Sequence, residues 1–177
     1  MLDRIERALD VLHQIAERYL IGSARDAEDG LTPAQGRVLR HVHLHARPSV
    51  RSIADGLMVS PPAATQLVSK LVDKGLIARA ERKDDRRVVS VTLTPEGRRL
   101  AERLIGDRRE RLGRLLGRMP ASSRRELARG LEAFISATLS DESAIDQACL
   151  RCGKRHAGDC PVNEASQRIL GAERARV

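Results

Sequence analysis

Apolar residues fall at helical intervals along most of the chain and switch to strand-like alternation in one place. Leu2, Ile5, Leu9, Leu12, Ala16 and Tyr19 step by three and four, a narrow seam suited to packing on another helix, and Gly22 with the polar run "GSARDAEDG" ends it. Thr32 as N-cap with Pro33 at the first helical position predicts a helix to about Ala46, with Val38, Leu39, Val42 and Leu44 turned inward, and Pro48 closes it. Ser49 caps a short helix through "VRSIADGLM", and Ser60 before Pro61 and Pro62 starts another that runs to about Lys74 and stops at Gly75. In that second helix Ala64, Leu67, Val68 and Leu71 keep the spacing of a buried face and leave Pro62, Ala63, Thr65, Gln66, Ser69 and Lys70 outward.

The period then changes. "LIARAE" and "VVSVTLT" read as two strands, Val89, Val91 and Leu93 on one face and Ser90 and Thr92 on the other, around a charged tip "RKDDRR". "TPEG" opens a long helix, Thr94 its cap and Pro95 its first residue, with an apolar stripe through Leu100, Leu104, Leu112, Leu115 and Met119 until Pro120. A further helix over about 122–139 is expected to bury Leu127, Leu131, Phe134 and Ile135. A cysteine loop and a short helix around Ile169 and Leu170 follow it.

Lys and Arg outnumber Asp and Glu by 32 to 24, a formal +8. From Arg79 to Arg125 fifteen basic residues face seven acidic ones, so that segment accounts for the whole excess and favours a phosphate-bearing partner. Tyr19 and Phe134 are the only aromatic residues and there is no Trp, which counts against a site that stacks unpaired bases. No apolar run reaches the length of a membrane span, and the acidic N-terminal segment lacks the features of a signal peptide, so a cytoplasmic protein without membrane contact is expected.

A short helix, a turn, a second helix, a Gly stop and a basic two-stranded ribbon make up the order of a winged helix-turn-helix. An isolated "RKDDRR" is most simply a solvated edge; its place directly after the helix pair makes it a wing. The stretches "LTPAQGRVL" and "VSPPAATQLVSKLVDKGLIARAERKDDRRVVSVTLTPEGRRL" strongly resemble the MarR family of bacterial transcription regulators, and the resemblance covers residues 1 to about 140 in element order. It implies a mainly α fold, a winged helix-turn-helix with a small antiparallel wing and long dimerisation helices. The boundaries expected are 1–30 for an N-terminal dimerisation helix, 31–94 for the DNA-binding lobe, 95–140 for C-terminal dimerisation helices and 141–177 for a tail.

The resemblance further implies a homodimer on palindromic double-stranded DNA, most simply a repressor; the seam at Leu2 to Tyr19 and the stripes on the last helices have no partner within a small monomer and would pair across the two-fold. It sets Ser60, Pro62, Ala63, Thr65, Gln66 and Ser69 toward base edges, Lys70 toward a phosphate, and Arg86 or Arg87 in the minor groove with Asp85 orienting it. It leaves open a small-molecule effector. His41, His43 and His45 invite a metal-sensing reading, but without a carboxylate at ligand spacing they read as ordinary helix histidines; His13 is unassigned.

The tail departs from the family. Cys149, Cys152, His156 and Cys160 offer four soft or borderline ligands in twelve residues, with Gly153 and Gly158 permitting tight turns. The set resembles a zinc knuckle whose last two gaps are each one residue short, and Cys160 before Pro161 also resembles the closing cysteine of an iron-sulfur loop. Zinc, an iron-sulfur cluster, and thiols that stay reduced or form a disulfide all remain open, as do sensory and purely structural roles. A closed four-ligand set without a carboxylate base does not suit catalysis, no other catalytic constellation is present, and a zinc-knuckle nucleic-acid binder would want the missing aromatics. The expectation is a regulator and not an enzyme.

Overall fold

The structure, a computed structural model, describes residues 1–17, 30–81, 89–152 and 159–172. Eight helices and one two-stranded sheet are assigned among them: α1 (Leu2–Ile15), α2 (Pro33–Leu44), α3 (Val50–Leu57), α4 (Pro61–Asp73), β1 (Ile77–Glu81), β2 (Val89–Leu93), α5 (Pro95–Gly117), α6 (Ala121–Thr138), α7 (Glu142–Cys152) and α8 (Pro161–Leu170). No helix among the described residues is long and apolar enough to cross a membrane.

Polar caps start the helices where the sequence predicts them. At α2 the Gln35 N–H donates to Thr32 Oγ1 at 3.3 Å and the Thr32 N–H donates to Gln35 Oε1 at 2.9 Å, which satisfies two otherwise orphaned amides. Ser49 accepts from the Ser52 N–H at the start of α3, and Ser60 accepts from the Ala63 N–H at the start of α4. α2 ends two residues earlier than expected, at Leu44, where His45 turns extended.

The inward stripes of α2, α3 and α4 meet in one core: Val38, Leu39, Ile53, Ala64, Val68 and Leu71 are fully buried, and Leu100, Ala101 and Leu104 of α5 close it. Leu44 and Leu67 are half-buried. β1 and β2 pair antiparallel from Ile77 opposite Leu93 to Glu81 opposite Val89. The predicted alternation on β2 holds only in part, because Val89 is exposed and Ser90 is buried. Both edges of β2 near Ser90 are engaged: it pairs with β1 on one side and bridges to Ser49 on the other, its hydroxyl donates to the Ala80 carbonyl at 2.9 Å, and the next residue's N–H donates to the Pro48 carbonyl. The polar side chain is tolerated there because its hydrogen bond is made internally.

The joint between this lobe and α5 is built from "TPEG". The Thr94 hydroxyl donates to the Gly75 carbonyl at 2.8 Å and accepts from the Gly97 N–H at 3.1 Å, and the Thr94 N–H donates to the Leu76 carbonyl. A Cβ at position 97 would lie 1.9 Å from the Leu76 carbonyl oxygen, so only glycine lets α5 approach this closely.

One expectation holds and one changes. In the single chain the stripe on α6 is not buried: Leu127, Leu131 and Phe134 are exposed, Phe134 by 51%, and α1 has no buried residue at all. Nor do all the cysteines lie in a loop. Asp141 accepts from the Ala144 N–H at 2.9 Å and caps α7, and Ile145 and Ala148 form its apolar face, so Cys149 and Cys152 occupy its last turns. Helix formation with a good cap and a buried isoleucine prevails over a knuckle-like turn at these two positions. α7 and α8 form a hairpin around Leu139, Ile145 and Ala165.

The joint generates the first prediction. Gly97→Ala should cost about 2–3 kcal/mol in urea unfolding, because backbone must move to admit the methyl group. Gly113→Ala on the same helix, where a Cβ meets nothing within 4 Å, should be neutral or stabilising by up to about 1 kcal/mol. Equal effects at both positions would contradict the close approach.

Candidate nucleic-acid interface

α3 and α4 are joined through Met58, Val59 and Ser60, and Met58 takes the left-handed conformation (φ 55°, ψ 47°) that turns the chain between them. Because Ala64, Val68 and Leu71 are driven wholly into the core, the opposite side of α4 has to face solvent. Ser60, Pro62, Thr65, Gln66 and Lys70 are exposed, and Ala63 and Ser69 are half-buried at the edge of that face.

Not all of these groups are equally available. The Ser60 hydroxyl already serves as cap, and the Thr65 hydroxyl donates to the Pro61 carbonyl at 2.9 Å, which leaves Thr65 to offer its methyl group and an oxygen lone pair. Gln66 and Lys70 carry the principal outward polar chemistry. Pro61 and Pro62 cost the helix nothing in its first turn, where backbone N–H groups have no partner within the helix.

Arg79 was not among the residues singled out from the sequence. Its guanidinium donates to Ser69 Oγ at 2.8 Å, which holds a cation from β1 against the exposed face of α4. Its partner lies ten residues away and becomes adjacent only when β1 folds back along the helix; an arginine in a short strand carried no local signal. Met58, 71% exposed in the turn, was also missed. Asp85, Arg86 and Arg87 lie outside the described residues.

Among the described residues the histidines are not gathered with other ligands into a second site. His41 is 6% exposed, its ring is 4.2 Å from that of His45, and a Cβ on Gly56 would come within 2.3 Å of it, so His41 packs into a slot that glycine leaves open. Burial, and then the charge of His45, lowers the His41 pKa from 6.5 to about 4.

In the tail, Cys149, Cys152 and Cys160 are all thiols, and His156 lies outside the described residues. Burial, and then the neighbouring Cys152 and Cys160 in their charged forms, push the Cys149 thiol up. Cys160 sits at the start of α8 and its sulfur accepts from the Asn163 N–H at 3.2 Å. Among the described residues no group of three or more His, Cys, Asp or Glu side chains is already gathered to hold a metal.

Two helices packed as α3 and α4, followed by an antiparallel ribbon and flanked by long helices, define a winged helix-turn-helix protein. The sequence pattern of the MarR family matches residues 29–88. The HTH-type transcriptional repressor MdtR of Bacillus subtilis is 33% identical over 116 residues, 66% of this chain and 74% of that relative. Among solved structures, the YusO protein of Bacillus subtilis is 29% identical with a TM-score of 0.60, over 77% of this chain and 95% of that one. RV1404 of Mycobacterium tuberculosis is 28% identical with a TM-score of 0.66, over 77% and 92%. The chain belongs to the MarR family of winged-helix transcription regulators.

The buried histidine makes stability depend on pH. With a folded pKa near 4 and an unfolded value near 6.5, the unfolded chain takes up a proton first as pH falls. Stability is therefore full above about pH 7 and is lost between about 6.5 and 4, by at most about 3 kcal/mol. His41→Phe, which keeps a ring in the slot, should remove that component from urea unfolding curves measured at pH 7.5 and 4.5; an identical pH dependence in both proteins would show that His41 is not the group responsible.

Proposed function

We propose that the protein is a transcriptional repressor that binds palindromic double-stranded DNA as a homodimer, with α4 in the major groove. The observation that carries this reading is the exposed face of α4, where Gln66 and Lys70 stand free of the core and Arg79 is held beside them by Ser69. Gln66 can bond an adenine edge at two positions, the Thr65 methyl suits a thymine methyl, and Lys70 and Arg79 suit phosphates. Asp85, Arg86 and Arg87 retain the wing-tip role that the family resemblance assigns them. The repressor role is supported by the name of MdtR. A binding role, without catalysis, is consistent with relatives that are regulators.

The homodimer is supported by the apolar stripes left exposed on α1 (Leu2, Ile5, Leu9, Leu12) and α6 (Leu127, Leu131, Phe134). Burying one such side chain contributes roughly 1.5–3 kcal/mol, and a second copy of the chain carries the same stripes to do it with. The proposed occupant of the tail is zinc, held by Cys149, Cys152, Cys160 and, from the sequence spacing, His156. The placement of Cys149 and Cys152 on the last turns of α7 and of Cys160 at the N-cap of α8, with a backbone N–H donated to the Cys160 sulfur, supports that reading. An absorption spectrum of protein purified without oxygen distinguishes colourless zinc protein from a brown iron-sulfur form.

Two outcomes are expected from duplexes selected out of a random pool. Arg79→Ala should weaken all selected sequences alike, by about 1 kcal/mol, and lower the slope of log affinity against log salt by about one, as for a lost phosphate contact. Gln66→Ala should instead relax base preference at one position per half-site by about 1–3 kcal/mol. Unaltered preference in Gln66→Ala would move base reading to other residues. Separately, Phe134→Asp should convert dimer to monomer in sedimentation and reduce duplex affinity with it; a dimeric variant would remove α6 from the interface.

A further inference from the structure

The packing of the tail indicates what a metal there would act upon. α7 lies against α3, the first helix of the helix-turn-helix, and α8 lies against α6, the helix proposed for dimerisation. Arg168 of α8 donates to the Ser136 hydroxyl and, at 3.0 Å, to the Ser136 carbonyl on α6. The α7–α8 hairpin thus spans from the DNA-binding lobe to the dimerisation part of the same chain. Its own core consists of Leu139, Ile145 and Ala165 with a few half-buried neighbours. A unit of that size buries too little apolar surface to be rigid by itself.

The cysteines stand at the connected end of this hairpin, Cys149 and Cys152 on the last turns of α7 and Cys160 as the N-cap of α8. The three thiols come from the joined ends of two paired helices, yet no three ligands are already gathered among the described residues. A cation that seeks thiolates therefore has to draw the start of α8 toward the end of α7. Each cysteine that ligates gives up its proton to solvent, so loading releases protons.

We propose that the hairpin is a metal-closed strut: a soft divalent cation of the zinc type, bound by Cys149, Cys152 and Cys160, clamps α7 to α8 and so fixes the DNA-binding lobe relative to α6. The two recognition helices of a dimer must reach half-sites about 34 Å apart, a spacing that depends directly on that placement. Metal supply is then read out as DNA affinity. This inference rests on the proposed DNA-binding reading.

The test uses the full chain, reduced and purified without oxygen, with zinc alone as the probe. Zinc content, hydrogen exchange and affinity for a duplex selected with zinc-loaded protein are measured before and after chelation. The expected result is one zinc per chain, faster exchange of the α3 amides around Ile53 and Ala54 once it is removed, and at least a tenfold change in affinity. Arg168→Ala should keep the zinc while shrinking both responses, since it loosens the strut at α6 and leaves the cysteines untouched. Cys160→Ser should lose the metal; if it does not fold, the Arg168→Ala comparison still decides. A wild-type protein that retains no zinc overturns the inference, and so does one whose α3 exchange and duplex affinity are the same loaded and stripped, although the DNA-binding reading survives both. Zinc-dependent protection of α3 with no duplex bound in either state would support the strut and sink the DNA-binding reading.

Discussion

The close approach of α5 to the end of the helix-turn-helix is the constraint on which the remaining architecture depends. The Leu76 carbonyl receives the Thr94 N–H, the Thr94 hydroxyl bridges the Gly75 carbonyl and the Gly97 N–H, and Gly97 has no Cβ to hold the helix away. Thr94, the residue after β2 and the cap of α5, thereby ties together the stop of α4, the start of β1 and the first turn of α5. The direction in which the long helix leaves the lobe is set at that point. Any pairing of two chains through distal helices inherits the angle.

Core and surface on α4 are two consequences of a single helical period. Full burial of Ala64, Val68 and Leu71 fixes the rotation of the helix about its axis, and with it the identity of the outward residues. Internal hydrogen bonds then edit that face, since the Ser60 and Thr65 hydroxyls are used by the helix itself. Gln66, Lys70 and the Ser69–Arg79 pair remain as groups with hydrogen-bonding capacity and charge to direct at a partner. An arginine pinned by a hydrogen bond loses less side-chain entropy on meeting a phosphate than one that moves freely.

The apolar stripes and the tail pose opposite packing problems. α1 and α6 present leucines and Phe134 that no described residue of the single chain buries, whereas α7 and α8 cover one another and bring Asn163 and Ser166 inside with them. Ser166 meets its need by donating to the Ala172 carbonyl at 2.9 Å. The tail is thus a folded appendage with contacts to both α3 and α6, a position from which a change in its order can reach the lobe.

Much of this was legible along the chain because its causes are local. Thr32, Ser49, Ser60 and Thr94 announce helix starts through bonds that close within three residues, and the apolar spacing of α4 states its buried face without knowledge of any neighbour. The family resemblance rested on the same stretch, from the first cap of the lobe to "TPEG". Where the expectations altered, a distant segment had intervened: the chain at Pro48 and Ser49 pairs with the second edge of β2 beside the buried Ser90, and Arg79 becomes part of the candidate interface because the sheet folds back onto Ser69. The stripe on α6 could be recognised as apolar, but whether it was covered depended on what the same chain could bring to it. Cys149 and Cys152 showed ligand spacing in the sequence, yet an aspartate cap and a buried isoleucine made their segment a helix. Period, caps and charge were determined by the sequence itself, since each acts over one turn or one strand; contacts between segments far apart in the chain were decided only by the tertiary structure, because their energy depends on burial and proximity that no local window contains.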